Sequence, residues 1–133
     1  MPPKYFTRAE AEELLPTVAP LLEDIQGWRA ELVALEERLA KLRAKAMGNG
    51  HAHPADSADP RAEARDLERR ITETIAEINA LGIEVKDLET GLIDFPSLRE
   101  GRVVYLCWRL GESDIAWWHE VDAGFAGRTP LED

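Results

Sequence analysis

Two neighbouring stretches, Cys107-Trp108-Arg109-Leu110-Gly111-Glu112 and Trp117-Trp118-His119-Glu120, bring together a thiol, a guanidinium, two carboxylates, an imidazole and three indoles. Imidazole and carboxylate groups are ligands that Zn²⁺, Mn²⁺ and Fe²⁺ accept, and a thiolate suits the softer of these ions. One reading is therefore a metal or acid–base site built from His119, Glu120, Glu112, Asp94 and Cys107. Another is a small-anion site, in which Arg102, Arg109 or Arg128 grips a carboxylate or phosphate beside the indoles of Trp108 and Trp118, since Arg offers bidentate recognition. The plain alternative is a core strand pair. In it His119 donates to a backbone carbonyl or pairs with a carboxylate, Cys107 is buried and inert, and the tryptophans pack. A single histidine among carboxylates that alternate faces weighs toward this alternative. His51-Ala52-His53 has loop surroundings and reads as a surface pair. There is no glycine-rich phosphate loop, no Ser-His-Asp pattern and no zincin motif.

Strands must position these groups. Residues 103–108 are β-branched and aromatic throughout and form the strongest strand signal. Residues 83–86, 92–95 and 115–121 give further strands, separated by the turn signals Glu89-Thr90-Gly91, Arg99-Glu100-Gly101-Arg102 and 110–114. Short connections imply a small antiparallel meander of three to four strands. Alternation puts Tyr105, Cys107 and Arg109 on one face and Val104, Leu106 and Trp108 on the other. If the turn pairs Arg109 with Ile115, Cys107 faces Trp117 and Tyr105 faces His119; a slip of one residue sets His119 against Leu106. The tail 124–130 has no clear period.

The first half of the chain is helical. Thr7 and Glu10 have the spacing of a capping box. Pro16 is expected to end this first helix, and Pro20 to sit in the first turn of a longer one. Leu21, Ile25, Trp28, Leu32, Leu35, Leu39 and Leu42 then recur at intervals of 4, 3, 4, 3, 4 and 3, a heptad seam. Gly48-Asn49-Gly50 stops the helix, and residues 47–60 read as a flexible loop. Asp59-Pro60 opens a partner helix with apolar positions Leu67, Ile71, Ile75, Ile78 and Leu81, ended by Gly82. The two are expected to fold as a long antiparallel hairpin whose uncovered side meets the rest of the chain or a second copy, with a homodimer through the helices preferred.

The chain has 133 residues and a formal net charge of −10, divided as −4 over residues 1–81 and −6 over 82–133. A length of this order suits one domain, with residues 1–81 forming its helical half and residues 82–133 its β half. One cysteine excludes an internal disulfide and a multi-cysteine zinc site. No apolar run approaches the ~20 residues of a membrane span, and the start lacks a signal peptide's apolar core, so the expectation is a cytoplasmic protein that does not contact the membrane. The acidity opposes binding that rests on neutralising phosphates, so nucleic acid is not expected as a partner. A protein partner or a small ligand is compatible with the same composition.

Several motifs together resemble a bacterial family, the domain-of-unknown-function family numbered 2203. They are Tyr5-Phe6-Thr7, Ala9-Glu10-Ala11, Leu14-Leu15-Pro16, 82–87, 91–96, Gly101-Arg102, 107–112, Trp118-His119-Glu120 and 124–128. The resemblance implies a small soluble bacterial protein and carries no activity with it. The expectation is thus an α+β chain, a helix-mediated oligomer with an acidic, Trp-rich hairpin as its binding surface; a metal centre at His119 and a small-anion site are the alternatives.

Overall fold

The computed structural model describes residues 4–49 and 59–132, the side chains of 47–49 excepted. Helix α1 runs Arg8–Asn49 and α2 Pro60–Ala80. An antiparallel sheet follows, with β1 at Glu84–Asp87, β2 at Leu92–Arg99, β3 at Arg102–Arg109, β4 at Trp117–Glu120 and β5 at Thr129–Pro130. The spatial order is the chain order, β1-β2-β3-β4-β5. The chain is therefore α+β, and the meander has five strands because the aperiodic tail adds a short last one to β4. Of the loop expected over 47–60, residues 47–49 belong to α1 and 59–60 open α2; the remainder, including His51 and His53, lies outside the described residues.

Both helix starts follow their side-chain signals. Thr7 N–H donates to Glu10 Oε1 at 2.8 Å, and Glu10 N–H donates back to Thr7 Oγ1 at 3.1 Å. Asp59 caps α2 by accepting from Arg61 N–H at 3.0 Å, with Pro60 at the first helical position. The expected break at Pro16 does not occur: Pro16 and Pro20 both lie inside the single helix α1. The two rings are four residues apart and exposed. On the opposite side Ala11, Val18, Leu22 and Ile25 form one buried stripe across the prolines. Two prolines inside a helix cost ~6 kcal/mol, and burial of Val18, Leu22 and Ile25 contributes ~1.5–3 kcal/mol each, so the stripe offsets the interruption.

That stripe meets Ile78 of α2 and one face of the sheet, where Ile93, Phe95, Leu106 and Trp108 are buried in the same cluster. The α2 helix packs along α1. Ile25 and Leu35 are buried, Trp28, Leu32 and Leu39 are half-buried, and Leu42 is exposed.

The β2 strand continues through Pro96, where the sequence suggested it would stop. Strand β1 covers only Leu92–Asp94, so β2 is an edge from Phe95 onward and a missing N–H breaks no ladder bond. Phe6 takes the free edge instead, its N–H donating to the Pro96 carbonyl at 2.7 Å and its own carbonyl accepting from Ser97 Oγ at 2.6 Å. At the other end of β2, Gly91 has φ +72°, and a Cβ there would stand 2.6 Å from that of Leu110. Glycine lets β2 begin hard against the end of β3.

Ile78 is the fully buried member of α2 in the common core, beside the half-buried Ile71 and Ile75. Ile78→Ala should lower unfolding stability by about 2–5 kcal/mol in urea titrations; a loss under about 1 kcal/mol would contradict this packing.

Candidate metal centre

The β2–β3–β4 register decides which polar groups meet. Asp94 lies opposite Cys107, Cys107 opposite Trp117, and Tyr105 opposite His119. Of the two sequence-level registers, the one that faces Tyr105 with His119 is therefore the one adopted. These residues share the sheet face turned away from the helices. The described residues of the tail close over it through a 3₁₀ turn, Phe125–Gly127, before β5. As a result Asp94, Cys107 and His119 are 2%, 0% and 3% exposed.

His119 and Asp94 reach across β3 to each other. The Nε2 atom of His119 is 3.0 Å from both carboxylate oxygens of Asp94, and its Nδ1 is 2.7 Å from the Glu120 carbonyl. A carbonyl can only accept, so Nδ1 carries a hydrogen and Nε2 is turned toward the carboxylate. One proton then lies between Nε2 and Asp94. Burial pushes the Asp94 carboxyl above its ordinary range, and the hydrogen bond from His119 recovers only part of this. Cys107 completes the group: one ligand atom each from Asp94, Cys107 and His119 lie within 4.8 Å of one another. Burial, and next the Asp94 charge, push the Cys107 thiol from its ordinary 9.0 up to about 11. Beside the group is a cleft of about 230 Å³ whose wall includes Asp94, His119 and Lys86.

The other sequence candidates lie elsewhere. Glu120 is on the helix-facing side of the sheet, paired with Arg102 at 3.1 and 2.7 Å. Glu112 accepts from Arg128 at 2.7 Å and from the Arg109 N–H at 2.7 Å. These two contacts, against the opposing effect of partial burial, hold its carboxyl below the usual range. The Arg128 guanidinium lies over Trp117 at 5.0 Å and Phe125 at 4.6 Å and interacts with Cys107, so it pins the tail onto the sheet. Arg109 lies over Phe125 at 5.2 Å. Trp108 is in the core, and Trp118 stacks under Arg99 at 4.7 Å on the helix-facing side. Three of the five metal candidates thus converge, whereas Arg102, Trp108 and Trp118 are on the face opposite Arg109 and Arg128 and do not form one ligand site with them.

Sequence reasoning passed over Glu84 and Lys86, which flank the group. Lys86 Nζ is 2.8 Å from Glu84 Oε1 and 5.1 Å over the Tyr105 ring, and Tyr105 O–H donates to Glu84 Oε2 at 2.8 Å. The alternation Glu84-Val85-Lys86 already put both on one face. Only the pairing of Glu84 with Asp94, and the bulge between Val85 and Asp87, shows that this face is the Asp94 face.

Residues 4–131 match the model of the family described as "Uncharacterized conserved protein (DUF2203)", and the chain belongs to that family. No curated protein and no solved structure matches the chain. Among the described residues, no helix is long and apolar enough to cross a membrane.

The raised thiol value has a measurable consequence. Because it lies above the unfolded-state value, the thiol's contribution to stability is complete below about pH 9 and is lost as pH rises through about 11. In chelator-treated protein, urea titrations should show wild type losing more stability than Cys107→Ala over that interval. Parallel curves for the two proteins would contradict a buried, protonated thiol.

Proposed function

We propose that the protein binds a divalent transition-metal ion, zinc in the first place, through Asp94, Cys107 and His119. The observation that carries this reading is the convergence of three different ligand atoms within 4.8 Å, all buried. The state of His119 supports it. A ligating histidine commonly donates its other ring N–H to a carbonyl or carboxylate, which fixes the tautomer and aims the free nitrogen at the ion. His119 Nδ1 is so engaged with the Glu120 carbonyl, and Nε2 is aimed at Asp94. A Cys-His-Asp donor set suits Zn²⁺ better than the harder Mn²⁺. Binding an ion would displace the shared proton and the thiol proton, converting a costly buried acid pair into ligands.

Elemental analysis of untagged protein should find close to one metal per chain, and titration calorimetry should give Zn²⁺ binding that Cys107→Ser and His119→Gln each weaken by about tenfold or more. Less than about a tenth of a metal per chain, with no thermal shift on adding Zn²⁺ or Mn²⁺, would refute the reading.

A second reading concerns assembly: the helices form an antiparallel hairpin whose heptad stripe pairs with a second copy, giving a homodimer. It is supported by the outer end of that stripe, where Leu39 is only half-buried and Leu42 is 49% exposed. Light scattering should give twice the 14.9 kDa chain mass, and Leu42→Glu should halve it without unfolding the chain. A wild-type monomer at micromolar concentration would refute this reading alone.

A further inference from the structure

We infer that the open side of this centre takes a small monocarboxylate. One carboxylate oxygen binds the ion, the other accepts from Lys86 Nζ, and the ligand's apolar body lies along Leu92, Val121 and Phe125. The inference rests on the metal reading and adds the class of ligand to it. Asp94 and His119 are on the wall of the cleft, whereas Cys107 is not and is wholly buried. An ion held by all three therefore has protein on its Cys107 side and the cleft on the other. Three protein ligands leave one position of a tetrahedral set, which is the arrangement of exchangeable rather than structural sites.

The cleft's chemistry selects the ligand. Lys86 is held in place by Glu84, which is itself held by Tyr105. An ammonium has three hydrogens, so the bond to Glu84 leaves others for a ligand oxygen. A divalent ion with the Asp94 carboxylate and the Cys107 thiolate is a neutral unit, and Lys86 is balanced by Glu84. A single negative charge is accommodated beside the ammonium, whereas a second one meets Asp122 on the same wall. Leu92, Val121 and Phe125 give the rest of the wall an apolar character. Its volume of about 230 Å³ is below the roughly 300–1,000 Å³ of pockets for drug-sized ligands, which points to a fragment-sized acid.

The test uses the full chain loaded with Co²⁺, whose visible spectrum reports a change of ligand, and phenylacetate as the probe, with succinate and inorganic phosphate as dianionic comparisons. Phenylacetate should shift the spectrum saturably and bind more tightly than either dianion. Lys86→Met should weaken phenylacetate at least about tenfold while Co²⁺ uptake is unchanged, with Lys86→Gln as a second variant should Met perturb folding. A cobalt spectrum that phenylacetate leaves unmoved, tighter binding of phosphate, or unaltered affinity in both Lys86 variants would overturn the inference and leave the metal reading standing. Failure to take up Co²⁺ or Zn²⁺ would overturn both.

Discussion

The register of β2, β3 and β4 is the constraint on which the site depends. Asp94, Cys107 and His119 come from three strands, and they meet only because Asp94 faces Cys107 while His119, opposite Tyr105, is diagonal to Cys107. The same register puts Ile93, Phe95, Leu106 and Trp108 against the helices. A slip of one residue would turn those apolar side chains to the outer face and Asp94 into the core. Hydrophobic burial on one face therefore sets the geometry of the polar group on the other.

The centre of the polar face, at Asp94, Cys107 and His119, is buried. An outer sheet face is commonly solvated, but here the tail folds over it, with Arg128 between Trp117 and Phe125 and in contact with Glu112. A buried His–Asp pair is poor support for stability as such, because desolvation offsets most of the attraction. Each polar atom is nevertheless provided for: Nδ1 by the Glu120 carbonyl and Nε2 by both oxygens of Asp94, with Cys107 beneath them. A buried, mutually aimed group beside a cleft is the geometry on which the proposed ligation rests.

Much of this was legible in the sequence. The capping box at Thr7 and Glu10, the Asp59-Pro60 helix start and the strand at 103–108 are local signals, and each stands at its expected place. Asp94, Cys107 and His119 were all among the metal candidates because their residue types carry the chemistry. Glu120 is in the same candidate set by residue type, but adjacent residues on a strand point to opposite faces, and it lies away from His119 beside Arg102. What was not legible depended on tertiary context. The uninterrupted α1 required knowing that Ala11, Val18, Leu22 and Ile25 share one buried surface strong enough to override two prolines. The passage of β2 through Pro96 required knowing that β1 stops short, and the place of Lys86 required the β1 register. The last strand, Thr129–Pro130, is too short to have a period of its own.

X-ray absorption at the zinc edge of the zinc-loaded protein decides whether Asp94, Cys107 and His119 ligate, because it counts the atoms around the ion. One sulfur at ~2.3 Å, from Cys107, is expected, with nitrogen and oxygen neighbours at ~2.0–2.2 Å, and loss of the sulfur in Cys107→Ser. A shell of nitrogen and oxygen alone in the wild-type protein would contradict it.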